Sequence, residues 1–225
     1  NVAMVKGSVI TKDGKDEIIG FDIDIAQAIA DELGVELEVK DMDFDGLIPA
    51  LTTGKIDIII AGMNATEERK QSVDFTDVYY TQTDIVVIRK EDADKFTSED
   101  SLKTAALATQ KATVQETYLL ETFPDAEIQS VPKWNTAILS LTTGKVDAVM
   151  MVDTVAKQFI AQNDDLMVAN FDINSTPNAA AIAVAKNGGD FLETVNNIVN
   201  EMKESGKIEE LYQLNDQIVT DNTAE

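Results

Sequence analysis

Neither cysteine nor histidine occurs in this chain of 225 residues. Without cysteine there are no disulfides, no thiolate metal sites and no cysteine nucleophile. Without histidine the commonest metal ligand is missing, and so is the side chain that most readily carries protons near neutral pH. Positive charge is also short: 18 Lys+Arg face 41 Asp+Glu, a formal net charge of −23. Long-range repulsion then works against nucleic acid and anionic membrane surfaces, so neither is expected as a partner. No apolar run approaches the roughly 20 residues of a membrane-spanning helix. No basic-then-apolar leader stands before Asn1, as expected of a cytosolic protein or of one whose leader has been removed. Glycine-rich phosphate loops, metal-ligand triads and nucleophile elbows are lacking too, so neither metal nor cofactor is expected.

What is present is a hydrophobic content of 44%, enough for a sizeable core, and a repeat. "LTTGKIDIII" at 51–60 returns as "LTTGKVDAVM" at 141–150, an offset of 141 − 51 = 90 residues. The same offset pairs Phe44 with Trp134 and a helix start at Asp24 with one at Val114. Around each copy the pattern is β-α-β. Ile25, Ala26, Ile29, Ala30 and Leu33 share a helical face that ends at Gly34, and Val35, Leu37 and Val39 alternate like a strand. "FDGLIPALTTG" predicts a short helix, "KIDIIIAG" a buried strand, Thr66 an N-cap, and "DIVVIRK" at 84–90 another strand. In the second half, strands are predicted at 105–107 and 128–131, with a helix from Val114 to about Thr122. "VDTVAKQFIAQND" reads as a helix and "NAAAIAVAK" as a strand crossing back. Two C-terminal helices follow, broken at Gly206, and "TDNTAE" reads as a frayed tail. The fold class expected is α/β: two similar α/β lobes with parallel-type sheets. Lobe 1 is expected to be discontinuous, residues 1–83 and 183–225, with lobe 2 at 84–182.

Ligands of open α/β sheets bind beyond the carboxyl ends of strands. In the first half that edge is "AGMNATEER". Gly62 permits close backbone approach, Asn64 both donates and accepts, and Arg69 presents a fork that fits a carboxylate. A surface ion pair on its own helix is the other reading of Arg69. In the second half "TQKATVQE" begins a helix at Thr113, whose first backbone N–H groups suit an anion or serve an ordinary cap. Asp153, just past the second repeated strand, suits either a ligand ammonium or an N-cap. Phe44 and Trp134 fit an aromatic wall or the core.

Taken together, "GFDIDIAQAIADELG", "DFDGLIPALTTGKIDIIIAGMNATEERKQSVDFTDVYY" and "TTGKVDAVM" resemble, in order and spacing, the polar amino-acid substrate-binding proteins of ABC transporters. These have the type II periplasmic-binding-protein fold, and the resemblance covers nearly the whole chain. It implies two lobes joined by two crossover strands, a ligand cleft between them, and a free polar amino acid, glutamine-like or basic, passed to a transmembrane permease. It also implies a monomer outside the cytoplasm that is not an enzyme. By the same resemblance Arg69 takes the ligand α-carboxylate with Thr113, while Gly62 and Asn64 contact the ammonium and carboxylate. Phe44 forms a wall and Gln110 sits near the ligand side chain. Three departures stand out. The family's opening strand and Pro-aromatic segment have no counterpart in "NVAMVKGSVITKDGKDEIIGFD". Its turn glycine is Ala112 here, and its ammonium-binding acid falls on Val152, with Asp153 one residue later.

Two rival readings use the same scaffold. A cyclohexadienyl-dehydratase-like enzyme needs a general acid in the site, and Asp153 is the carboxylate that stands out. An amino-acid sensor domain is the other.

Overall fold

The computed structural model describes residues 8–12 and 15–222, with side chains described for residues 20–217. By internal contacts the chain divides into two compact units. The first holds residues 1–42, 46–81 and 179–225, and the second holds residues 43–45 and 82–178.

In the first unit, β1 (Ser8–Lys12) and β2 (Lys15–Ile19) form an antiparallel hairpin where the sequence reading had no strand. Helix α1 (Phe21–Leu33) starts earlier than Asp24 and ends at Gly34, whose φ of 66° makes the left-handed cap expected there. Its apolar face, Ile25, Ala26 and Ile29, is fully buried. Each fully buried isoleucine contributes about 1.5–3 kcal/mol relative to exposure. The residues read as a following strand make only an isolated bridge at Leu37, and Val35 is exposed. A 3-10 turn, Phe44–Gly46, precedes α2 (Leu47–Thr52), which leads to the short β3 (Ile58–Ile59), α3 (Glu67–Lys70) and the long β4 (Val73–Gln82).

The second unit begins with β5 (Asp84–Arg89). It continues through β6 (Ala106–Gln110), α4 (Val114–Thr122), β7 (Glu127–Val131), α5 (Trp134–Thr142), β8 (Ala148–Val152), α6 (Asp153–Ala161) and β9 (Leu166–Val168). Strand β10 (Asn178–Ala185) then returns the chain to the first unit, followed by α7 (Gly189–Glu204) and α8 (Lys207–Asn222). Residues 223–225 of the expected tail lie outside the described residues, while α8 runs on to Asn222.

The five-stranded sheet of the second unit has the order β7-β6-β8-β5-β9. Pairs β6–β7 and β6–β8 are parallel, as helical crossovers require. Strand β5 runs antiparallel to both β8 and β9, because it arrives as extended chain rather than through a helix. The same holds in the first unit, where the order is β3-β10-β4 and β10 pairs with β3 antiparallel. The five-stranded sheet is thus mixed, with its helix-linked strands β6, β7 and β8 parallel and β5 opposed to its neighbours.

The first unit's core joins α1, β3, β10, α7 and α8, with Ile58, Ile182, Val184, Val195, Val199 and Leu211 among its buried residues. Phe21 packs edge-on to Tyr80 and Tyr212 at ring separations of 5.1 and 5.7 Å, tying α8 to the start of α1. In the second unit, one face of the sheet buries Trp134, Ile138 and Leu141, and the other buries Phe96, Leu102 and Leu119. Trp134 is 4% exposed, so the core reading holds for it.

Candidate functional site

Beyond β3 the backbone reaches Gly62 with φ 58°, a left-handed conformation that glycine adopts without steric cost. Its N–H donates to the Tyr79 hydroxyl at 3.2 Å, and that hydroxyl donates to Asp22 Oδ1 at 2.7 Å. Tyr79 is fully enclosed, and burial, reinforced by the Asp22 charge, pushes its pKa well above the usual tyrosine value. The phenol therefore stays a hydrogen-bond donor to Asp22 and an acceptor for Gly62. Since the Gly62 N–H is engaged, its carbonyl oxygen is what this glycine has to offer an ammonium.

Two residues on, the chain is stitched to β10: Ala181 N–H donates to Met63 O at 2.9 Å, and Asn64 bridges Ala180. Thr66 caps α3 as expected, its Oγ1 accepting the Arg69 N–H at 3.2 Å. The Asn64 carbonyl accepts both the Thr66 N–H at 3.0 Å and Arg69 Nη1 at 2.8 Å. Arg69 is half-buried, and loss of solvent, partly offset by Glu68, brings its pKa down to about 10. It remains a cation at neutral pH, but one whose charge the surroundings disfavour, so a carboxylate is a fitting partner.

The chain's other arginine has a different employment. Arg89 Nη1 donates to the carbonyls of Leu141 and Val146 at 2.7 and 2.8 Å, and Nη2 pairs with Asp92 at 2.6 Å. One guanidinium holds a turn together, and the other stands beyond a strand.

In the second unit, Gln110 ends β6, is 6% exposed and donates from Nε2 to Pro132 O at 2.8 Å. Thr113 caps α4, accepting the Glu116 N–H at 3.3 Å and donating its own hydroxyl to Gln110 O at 2.6 Å. The Glu116 carboxylate reaches back to the Ala112 N–H at 2.6 Å, completing a reciprocal cap. With the Thr113 hydroxyl so engaged, the backbone N–H groups of the first turn are what this end of α4 has to offer an anion. Ala112 keeps the left-handed turn with φ 61°, although it carries a side chain where glycine would be unstrained.

Asp153 opens α6, and its Oδ1 accepts the N–H groups of Thr83 at 3.3 Å and Thr154 at 2.8 Å. Its own N–H donates to Thr83 O at 2.9 Å. Through Oδ1, Asp153 clamps the start of α6 to the chain just before β5. Phe44 lies half-buried in the 3-10 turn, and residues 43–45 group with the second unit, where Asp45 pairs with Lys111 Nζ at 2.9 Å.

The sequence reading passed over Asp84. This carboxylate is 4% exposed at the first position of β5, directly opposite Val152 on β8. Oδ1 accepts from Gln115 Nε2 at 2.7 Å and Asn178 Nδ2 at 2.5 Å, and Oδ2 accepts from Ser175 Oγ at 2.7 Å. The signal was an acid heading the otherwise apolar run "DIVVI".

Among the described residues no group of three or more acidic, histidine or cysteine side chains is arranged to hold a metal, and no helix is long and apolar enough to cross a membrane. Comparison with known proteins gives a consistent picture. The model of the bacterial extracellular solute-binding proteins, family 3, matches residues 8–214. The arginine-binding extracellular protein ArtP of Bacillus subtilis is 34% identical over 87% of this chain and 77% of its own length. The ABC transporter glutamine-binding protein GlnH of the same organism is 31% identical over 87% of this chain and 72% of its own. Among solved structures, the amino acid ABC transporter substrate-binding protein AbpA of Streptococcus pneumoniae, bound to L-arginine, superposes with a TM-score of 0.91 at 33% identity. It covers 95% of this chain and 90% of the other.

Proposed function

The chain belongs to the bacterial extracellular solute-binding proteins of family 3, and from that premise we propose that it captures a free polar amino acid outside the cytoplasm and delivers it to the permease of an ABC transporter. It works without catalysis and as a monomer. The relatives bind arginine and glutamine, and the same ligand class, an α-amino acid with a basic or amide side chain, is assigned here.

The observation that carries the reading is the half-buried Arg69 guanidinium. It is held on the Asn64 carbonyl at 2.8 Å beyond the end of a strand, on a turn braced by Gly62, Tyr79 and Asp22. A bidentate fork at that place suits an α-carboxylate. Asn64 and the Gly62 carbonyl add polar contacts, and the first-turn N–H groups after Thr113 supply a second set of anion donors. Gln110 and Phe44 serve the ligand side chain. The ligand favours whichever conformation makes these contacts. Charge-assisted hydrogen bonds of about 1.5–3 kcal/mol each are enough to decide such an equilibrium.

A thermal-shift screen against the twenty free amino acids tests this. Ligand at about 100 times its Kd adds about 2.7 kcal/mol to the folded state, which for a chain of this size raises Tm by about 5–10 °C. A screen in which no amino acid raises Tm at millimolar concentration would sink the proposal.

A further inference from the structure

An α-amino acid brings a cation as well as a carboxylate. Asp153, the acid singled out by sequence, spends Oδ1 on two backbone N–H groups. We propose that Asp84 is the residue that receives the ligand's α-ammonium. The assignment rests on the amino-acid-binding function argued above.

Four observations support it. The first is position. Gln110 ends β6, Val152 ends β8, and Asp84 begins the antiparallel β5 opposite Val152, so all three lie at one end of the five-stranded sheet. That end is where α4 starts and where ligands of open α/β sheets sit. Residues directly opposite on antiparallel strands project to the same face, so Asp84 and Val152 share theirs. The second is burial: at 4% exposure an ionised carboxylate loses most of its hydration, which costs free energy unless a cation replaces it. The third is the partner set. Gln115, Asn178 and Ser175 are all neutral, and among the described residues no lysine or arginine forms an ion pair with Asp84. The fourth is capacity. A carboxylate has about four lone-pair sites. Two donors on Oδ1 and one on Oδ2 leave the fourth on Oδ2, a place for one ammonium N–H. Gln115 donates to both Asp84 and Asn178, so the carboxylate is oriented from the same helix whose first turn supplies the anion donors.

The test uses L-arginine, L-glutamine and their analogues without the α-amino group, 5-guanidinopentanoate and glutaramate, titrated calorimetrically into the parent and Asp84→Asn. The variant is expected to bind the amino acid at least about 30-fold more weakly, yet to bind the matching analogue no more weakly than the parent does. Unchanged amino-acid affinity in a folded Asp84→Asn overturns the assignment. So does an equal loss for amino acid and analogue, which marks a residue that only positions α4. A parent that binds neither of these nor any other of the twenty free amino acids overturns the underlying function, and the assignment with it. If Asp84→Asn does not fold, Asp84→Val combined with Val152→Asp keeps one acid and one valine in the cross-strand pair. Recovery of L-arginine or L-glutamine binding to within about tenfold of the parent is expected, and a folded swap that binds neither overturns the assignment.

Discussion

The two copies of "LTTGK" turn the chain in the same way and then part company. After α2, Thr53 N–H donates to Pro49 O, Gly54 N–H to Leu51 O and Lys55 N–H to Ala50 O, at 3.2, 3.1 and 2.9 Å. After α5, Thr143, Gly144 and Lys145 make the same bonds to Leu139, Leu141 and Ser140 at 3.0, 3.1 and 2.8 Å. Even the hydroxyls agree: Thr53 Oγ1 donates to Pro49 O and Thr143 Oγ1 to Leu139 O. Past the turn, the first copy enters a two-residue strand and the left-handed Gly62, whereas the second enters the five-residue β8 and goes directly into α6. Helix exit is local chemistry and was duplicated with the sequence. The chemistry beyond the strand differs, with a guanidinium edge in the first unit and a carboxylate with helix N–H groups in the second.

Removing the guanidinium edge is expected to have the largest effect. Arg69→Lys keeps the charge and loses the fork, and on the order of a 10- to 100-fold drop in amino-acid affinity should follow. The Tm without ligand should stay close to the parent, because lysine keeps the charge and has an ammonium to donate to the Asn64 carbonyl that Arg69 now holds. Calorimetry showing parent-like affinity would return Arg69 to the kind of structural work Arg89 does in the second unit.

Each unit also has an acid that grips the chain near β10. Asp84 holds Ser175 and Asn178, before and at its start, while Asp74 holds the turn after its end. Lys186 Nζ donates to Asp74 Oδ1 at 2.7 Å and Asn187 N–H to Oδ2 at 2.8 Å. Asp74→Ala should cost about 1–3 kcal/mol, read from urea unfolding. The Lys186 hydrogen bond holds the Asp74 carboxyl below the usual carboxylate range. Its contribution is therefore complete above the unfolded value near 4 and is lost as pH falls through the lower folded value. Asp74→Asn should flatten that acid limb, and an unchanged limb would assign the acid sensitivity to other carboxylates.

The same contrast explains what the sequence showed and what it hid. The caps at Gly34, Thr66 and Thr113 and the extent of α4 were legible because each depends on neighbours within four residues. Strand β4 was not, because its buried residues Val73, Thr76, Tyr79 and Gln82 recur every third position and give no alternation. There the Thr76 hydroxyl accepts the Ile182 N–H, a ladder role no pattern announces. The stretch at Val35 and Val39 alternates convincingly, yet an isolated bridge at Leu37 is all it forms, because pairing depends on a partner distant in sequence. Asp84 was hidden for a similar reason: its partners lie 31, 91 and 94 residues away.

If the turns are equivalent, they should also fail equally. Gly54 and Gly144 have φ values of 70° and 72°, and a Cβ at either would meet nothing within 4 Å. Gly54→Ala and Gly144→Ala should each cost about 1–2 kcal/mol from backbone conformation alone, and agree within about 0.5 kcal/mol. A clearly larger loss at Gly144 would show that the Arg89 bonds to Leu141 and Val146 make the second turn less able to yield.

The smallest expected change goes the other way, and it concerns the turn before α4, where glycine would be unstrained and alanine stands. Ala112 has φ 61°, which costs an L-residue about 1–2 kcal/mol relative to glycine. Ala112→Gly removes that strain but lets the unfolded chain sample more conformations, which offsets about 0.4–1 kcal/mol. The backbone N–H that donates to Glu116 Oε2 at 2.6 Å is present in both residues, so the reciprocal cap of α4 persists. A net gain of a few tenths to about 1 kcal/mol remains, equivalent to a rise in Tm of about 1–4 °C. Differential scanning calorimetry without ligand reads it. A variant less stable than the parent would mean that the Ala112 methyl makes packing contacts worth more than the strain, and that the alanine is part of how this turn is held.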